Sequence, residues 1–353
     1  MKGKIRFGMV GTGFIADWVL AGARQDPRFE AAAICSRNQA TADAFAAKHG
    51  IPHTFTSLEE MARSPLVDAV YIASPNALHA SQSILCMRHG KHVLCEKPLA
   101  LTAADCRELE AVFKENRVKL MEAFMYRFLP GIKALKGVLE SGAIGEICHI
   151  YSTHRFYLQD DGDVRVNREL GGGSLRDVGC YPVNLIGWLL NDYPQAVSAE
   201  KTTFQGVEHA LVASLKYKSG VTANISCGFD GCSSMLTEIN GTKGSILIRD
   251  TFIDTHLPIL VTSADGRTEE VPVVDSDCYM LEVEEFSDAV LQEQAQAQAK
   301  GAAREAQWKN RTITEPYEPG STFKALVLAA ALEEGVVSEN DTFTCTGSVN
   351  IGG

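Results

Sequence analysis

The sequence predicts an α/β protein. A doubly wound parallel sheet comes first, and an α+β part with a large, mostly antiparallel open sheet follows. Three observations predict this. Short apolar runs alternate with helical patterns through Ala123. A glycine turn, Gly11-Thr12-Gly13-Phe14-Ile15-Ala16, joins the first run to the first helix. After Phe124, segments with period-two alternation follow one another with few helices between them. The boundary therefore falls between a domain at 1–123 and a domain at 124–353. A length of 353 residues suits two cores.

Ile5 to Val10 reads as the first strand, and the helix after the glycine turn carries Trp18, Val19, Leu20 and Ala23. G-x-G-x-x-A between strand and helix is the pattern of a dinucleotide-binding turn. The first glycine allows the tight turn, the second lets backbone approach a pyrophosphate, and a small Ala16 lets helix and strand pack closely. The helix N-terminus offers N–H groups to the phosphates. A plain glycine turn is the simpler alternative.

Phe29 to Cys35 is the second strand, and it ends in Ser36-Arg37-Asn38. An acidic residue at this position would hold ribose hydroxyls. A hydroxyl and a guanidinium suit a 2′-phosphate instead, which favours NADP while leaving NAD possible. The alternative is that Arg37 is an exposed loop arginine.

Alternation continues with helix Thr41 to His49, strand Pro52 to Phe55 and a Ser57-capped helix to Arg63. Strand Val67 to Ala73 ends in Ser74-Pro75-Asn76, and Ala77 to His89 is helical. Ser74, Asn76 and His79 thus share one sheet edge with Gly11. A strand around Val93-Leu94-Cys95 runs into Glu96-Lys97-Pro98. Proline fixes its own φ and restricts Lys97, so a carboxylate and an amine are pinned at the edge where open parallel sheets bind ligands. A solvated Glu-Lys pair before a turn is the plainer reading. Helix Ala103 to Asn116 and strand Lys119 to Ala123 complete the sheet.

In the second domain a helix from Gly131 to Ser141 precedes a strand from Glu146 to His154. Further strands are expected at 194–204, 208–217, 221–228, 235–240, 244–249 and 259–262. Helices are expected at Tyr279 to Gln292 and Thr322 to Gly335, with a low-complexity stretch of frayed helix or loop at Gln294 to Lys300. Gly171-Gly172-Gly173 precedes Asp177 and Tyr181. If a helix begins near Leu175, these two lie one turn apart on one face. A carboxylate beside a phenol can orient a hydroxyl and move its proton. Asp177 as a cap and Tyr181 as packing are the alternatives.

The net charge of -11 argues against nucleic-acid and membrane-surface partners. The ten cysteines have no paired spacing, so neither a zinc site nor a disulfide framework is expected. Buried thiols in a reducing, cytoplasmic compartment fit, as does an N-terminus without a signal-peptide pattern. No metal is expected.

The glycine turn, Ser74-Pro75-Asn76 with His79, Glu96-Lys97-Pro98, Glu122 to Phe128, and Gly171 to Tyr181 occur in that order. Together they resemble the Gfo/Idh/MocA family of nicotinamide-dependent oxidoreductases, over nearly the whole chain. Tyr181 resembles the branch with glucose–fructose oxidoreductase and dimeric dihydrodiol dehydrogenase.

The resemblance implies a Rossmann domain, then a substrate-binding domain whose sheet pairs subunits into a homodimer or homotetramer. It implies hydride exchange between NADP(H) and a CH–OH or C=O carbon of a sugar, cyclitol or related polyol. Lys97 would contact substrate and nicotinamide ribose, and Tyr181 would be the general acid/base. Asp177 would position Tyr181 or substrate, and would keep Lys97 charged. Glu96 and Arg127 would line the nicotinamide side, Arg165 would lie near substrate or cofactor, and Tyr279 would reach the cofactor. Arg168 and Arg176 depart from the family's pattern, so the resemblance does not carry over a particular substrate. Two other readings stand beside this one: a redox cycle that cleaves a glycosidic bond without net oxidation, and a non-catalytic NADP-binding regulator.

Overall fold

The computed structural model describes residues 3–159, 162–299 and 343–344. The described residues form two compact units, the first comprising 3–125 with 277–299 and the second the described residues of 126–276 with 343–344.

The first unit contains β1 (Ile5–Val10), α1 (Phe14–Ala23), β2 (Phe29–Cys35), α2 (Gln39–His49), β3 (His53–Phe55), α3 (Leu58–Arg63) and β4 (Ala69–Ile72). Then come α4 (His79–Arg88), β5 (His92–Glu96), α5 (Ala103–Asn116) and β6 (Leu120–Ala123). All six strands run parallel in the order β3-β2-β1-β4-β5-β6. Helices cover both faces of such a sheet, so β4 is apolar and wholly buried, and β1 departs from this only at Arg6. Side chains start the helices: Asn38 accepts from Thr41 N, Ser57 from Glu60 N and Thr102 from Asp105 N. The strand order reverses between β1 and β4. There the Gly11 turn and the Ser74 loop come side by side.

The second unit contains α6 (Pro130–Glu140), β7 (Ile147–Tyr157), α7 (Cys180–Leu190), β8 (Pro194–Phe204), β9 (Val207–Tyr217) and β10 (Thr222–Gly228). It continues with β11 (Asp230–Gly241), β12 (Gly244–Arg249), β13 (Ile259–Ser263) and β14 (Thr268–Val271). The strand order is β14-β13-β12-β11-β7-β10-β9-β8, with a two-residue strand at Phe343–Thr344 beside β8. Every pair is antiparallel except β7 with β10. β9 shows why one face is solvated. Leu211, Ala213, Leu215 and Tyr217 are buried, while Val212, Ser214 and Lys216 between them are exposed. The buried side joins Leu175, Val178 and Ile186 in one apolar core.

The expected break at 123/124 does not hold for the end of the chain. α8 (Cys278–Ala299) returns to the first unit. Phe286 is fully buried and its ring lies 5.9 Å from that of Phe7 on β1. Arg28, before β2, binds Asp26 and reaches Asp288 on α8. At Gly22 in α1 a methyl group would stand 2.7 Å from Tyr279 Cβ, so only glycine lets the two helices meet. A linear reading assigned α8 by sequence position, whereas its apolar face belongs to the parallel sheet. α8 also runs on through Ala299, where the low-complexity stretch suggested frayed helix or loop. The expected helix at 322–335 lies outside the described residues. β14 was not anticipated, because its four residues, Thr-Glu-Glu-Val, carry little apolar pattern.

Truncating Phe286 tests the placement of α8. Phe286→Ala should lower the stability of the first unit by about 3–5 kcal/mol, as for other buried phenylalanines. Hydrogen exchange at the slowest β1 amides reads this directly. A loss below about 1 kcal/mol, typical of surface positions, would remove α8 from that core.

Candidate active site

The predicted residues divide between the two units. In the first, Gly11 has φ +98°, and a Cβ there would meet Ala73 O at 2.5 Å. Gly11 N donates to Cys35 O at 3.2 Å and Ala73 N to Val10 O at 2.9 Å, so the turn is stitched to both neighbouring strands. Around Gly13, by contrast, a Cβ would meet nothing within 4 Å. Backbone with open space before a helix N-terminus is what a diphosphate requires. Thr12 and Ile15 are half-buried, and Phe14 is exposed. Ser36 is half-buried and Arg37 exposed at the end of β2. Arg37 makes no ion pair with a described residue, and its guanidinium suits a second phosphate.

Ser74, Asn76 and His79 follow β4. Ser74 Oγ donates to Gln82 Oε1 at 2.7 Å. Asn76 begins a short 3-10 turn, Asn76–Leu78. His79 is 1% exposed. Its Nδ1 lies 2.7 Å from Pro98 O and its Nε2 2.8 Å from Ser74 O. Burial lowers its pKa against the pull of these two carbonyls. With a backbone carbonyl at each ring nitrogen, His79 lies between the loops after β4 and β5, and as a neutral imidazole it donates to one of the two carbonyls.

Beyond β5 the Lys97–Pro98 bond is cis. Leu99 N donates to Glu122 Oε1 at 2.8 Å. Pro98 and Leu99 are thus held from two sides, by α4 through His79 and by β6 through Glu122. Lys97 is half-buried just before this clamp. Glu96 is buried and accepts a hydrogen bond from Tyr71 Oη. Burial first, and the nearby Glu96 second, push the Tyr71 phenol well above its usual range, so it stays a donor. Tyr279 is half-buried in the first turn of α8, its N–H bonded to Asp277 Oδ1 at 3.0 Å.

In the second unit a π-helical turn, Leu175–Gly179, leads into α7. The expectation of an α-helix from Leu175 needs this correction, and single π turns recur at functional sites. The glycine run makes the turn possible. A Cβ on Gly172 would collide with Arg165 O, and one on Gly173, at φ +122°, with the Glu208 carboxylate. Glu208 is buried and accepts from Leu175 N at 3.0 Å.

Asp177 Oδ2 lies 2.7 Å from Arg165 Nε. Asp163 completes the group at 3.2 Å from Arg165 Nη1. Burial opposes the Arg165 charge, but Asp177 and Asp163 more than offset it, and its pKa is raised. Arg165 is therefore a fixed cation and Asp177 its counter-ion. Arg127 stacks over Trp188 at 5.7 Å. Of the two unusual arginines, Arg168 is exposed, while Arg176 is buried with Nη1 3.2 Å from Gly172 O.

Tyr181 is 5% exposed and sits in an aromatic box. The rings of His154, Phe252 and Tyr126 lie 5.0, 5.4 and 5.8 Å away. Tyr126 Oη donates to Asn184 Oδ1 at 2.6 Å, and both residues are fully buried. The box fixes the plane of the phenol. Sequence reasoning missed His154, Phe252 and Glu208, which come from three different strands and turns. Only His154, on the alternating strand β7, left a signal.

Glu208 provides a test of the turn that carries Asp177. Glu208→Ala should cost about 1–3 kcal/mol by leaving Leu175 N without its acceptor. Glu208→Gln, which keeps a carbonyl oxygen there, should recover much of that in urea unfolding. Equal losses in the two variants would show that Glu208 does not hold the π turn.

The sequence is similar to three family models. Residues 5–124 match the oxidoreductase family with an NAD-binding Rossmann fold, and 132–247 match the GFO/IDH/MocA C-terminal domain. Residues 285–352 match the penicillin binding protein transpeptidase domain. That last stretch contains Ser321-Thr322-Phe323-Lys324, an S-x-x-K spacing that sequence analysis read only as the start of a helix. Neither the S-D-N nor the K-T-G that accompanies S-x-x-K in such sites occurs in this chain. The serine and lysine, outside the described residues, assign no reaction by themselves.

D-xylose 1-dehydrogenase (NADP(+)) 2 of Haloferax volcanii is 36% identical, over 80% of this chain and 88% of its own. The scyllo-inositol 2-dehydrogenase (NADP(+)) of Bacillus subtilis is 38% identical, over 80% and 87%. A 3-ketoreductase from Actinomadura kijaniata, solved with NADP and TDP-benzene, superposes with a TM-score of 0.81 at 26% identity, over 94% of this chain and 98% of that one. With the two halves of the family pattern matched in order, the chain belongs to the Gfo/Idh/MocA oxidoreductases.

Proposed function

We propose that this chain moves a hydride between NADP(H) and a CH–OH or C=O carbon of a sugar, cyclitol or related polyol, with Lys97 and Tyr181 at the reacting atoms. The observation that carries the reading is the clamp at Pro98 and Leu99. It fixes the strand end that presents Lys97, on the same sheet edge as the Gly11 turn. The two NADP-dependent relatives support the choice of cofactor and substrate class.

When bound, the nicotinamide supplies the hydride donor or acceptor. The chain's own groups do the rest. Gly11 to Ile15 and the start of α1 hold the diphosphate, and Ser36 with Arg37 holds a 2′-phosphate. In the oxidative direction Tyr181 takes the proton of the substrate hydroxyl, and in reduction it returns one. Lys97 donates to the same oxygen and steadies the alkoxide charge as it develops. The aromatic box holds the Tyr181 ring, and Arg165 holds Asp177 in place to orient the substrate. Subunits pair on the solvated face of the second unit's sheet.

Lys97→Met should lower kcat by about 10²–10³-fold, the scale of a lost charge-stabilising donor, with NADPH binding by fluorescence retained. A near-normal kcat would remove Lys97 from the chemistry. Arg37→Ala should raise KM for NADP roughly 10–100-fold, a charged hydrogen bond being worth about 1.5–3 kcal/mol, and leave KM for NAD unchanged. Equal changes for both cofactors would show that Arg37 does not read the 2′-phosphate.

A further inference from the structure

Glu282 on α8 is a carboxyl group with no exposure, and neither of its oxygens has a hydrogen-bond partner among the described residues. Tyr279, Glu282 and Phe286 recur at helical spacing on one face of α8. Tyr279 meets Gly22 of α1, and Phe286 meets Phe7 of β1. Glu282 is thus directed into the first unit between these two contacts. The titratable groups that act on this region are Glu96 on β5, Tyr71 on β4 and Tyr279 on α8. No cation among the described residues pairs with Glu282.

An ionised carboxylate cannot persist there. Full burial without a partner costs an isolated charge many kcal/mol. Glu96, the nearby carboxylate, already accepts from Tyr71 Oη and penalises a second negative charge. We propose that Glu282 is a positioning residue that works as a neutral carboxylic acid, leaving Glu96 the single buried anion at the strand end that carries Lys97. Burial and Glu96 both hold the Glu282 pKa well above the usual carboxylate range. A second charge would set Glu96 and Glu282 against each other and disturb the backbone one residue before Lys97.

The sign of the stability effect follows. The unfolded chain releases this proton near pH ~4.3, and the folded chain keeps it to higher pH. The folded state then binds more protons, so stability falls as pH rises from there to the folded pKa. Glu282→Gln, a neutral isostere, removes that slope.

The role for Lys97 rests on the proposed function, but two readouts on the apoprotein do not. In infrared spectra at pH 7 the wild type should show a protonated-carboxyl stretch that Glu282→Gln lacks. The difference in Tm between Glu282→Gln and wild type should widen with pH, by roughly 2–4 °C or more from pH 5 to pH 8. In turnover, Glu282→Gln should keep kcat and the KM for NADPH within threefold at pH 7, and should hold its kcat to higher pH than the wild type. No protonated-carboxyl band in the wild type, a pH-independent Tm difference, or a tenfold loss of kcat in Glu282→Gln would each overturn the proposal. If Glu282→Gln does not fold, the wild-type infrared titration alone decides. Normal infrared and Tm behaviour with an active Lys97→Met would instead sink the reading of Lys97 and leave the neutral acid standing.

Discussion

The site in the first unit depends on how the chain is held just after β5. Pro98 O and Leu99 N face opposite partners, an imidazole from α4 and a carboxylate from β6. Neither partner is a surface group. His79 is buried, and the Glu122 backbone pairs with Cys95 in the sheet. A flexible lysine stem loses much rotamer freedom when it is placed. Fixing its backbone from both sides means that only the side chain remains to be ordered when a ligand arrives. The same His79 ring also contacts Ser74 O, so the loops after β4 and β5 are set together.

Packing at the reversal of strand order reinforces this. Gly11 lies so close to Ala73 that any side chain would have to displace the β4 loop. The loop that is braced by His79 therefore also bounds the glycine turn. Backbone geometry at the phosphate end and backbone geometry at Lys97 are joined by the close approach of Gly11 to Ala73 and by the His79 ring between Ser74 O and Pro98 O. A similar economy operates in the second unit. The glycine run passes over Arg165 and Glu208, and this close approach both shapes the π turn and sets Asp177 against Arg165.

The sheet edge was legible because it is written locally. Gly11 and Gly13 sit within one turn, and Glu96-Lys97-Pro98 is a run whose constraints follow from proline itself. Strands β8 and β12 were legible from alternation alone, since one face is more buried than the other. What escaped was non-local. Glu122 and His79 read as candidate ligand groups or ordinary residues until the fold showed them bonded to the backbone around Pro98. The box around Tyr181 draws on residues from 126, 154 and 252, which no spacing rule relates. α8 joins the first unit across more than 150 intervening residues, and a boundary drawn where the texture changes cannot register a return. Ser321 to Lys324 was different. It is a local pattern, but it falls within a helical periodicity that gives the same residues a simpler reading.

The return of α8 has a chemical consequence that packing alone does not require. Its contacts with β1 and α1 are apolar or small, as Phe286 and Gly22 show. A leucine at 282 would serve such a contact better than a carboxyl group, since burying an acid without a partner is a net cost. The cost is tolerable only if the group is neutral, and the nearby Glu96 carboxylate pushes it the same way. Glu96, the charge that a second anion would face, accepts from Tyr71 Oη. With Glu282 neutral, that bond is unopposed, and the strand end before Lys97 is held at the side chain of Glu96 as well as at the backbone of Pro98 and Leu99.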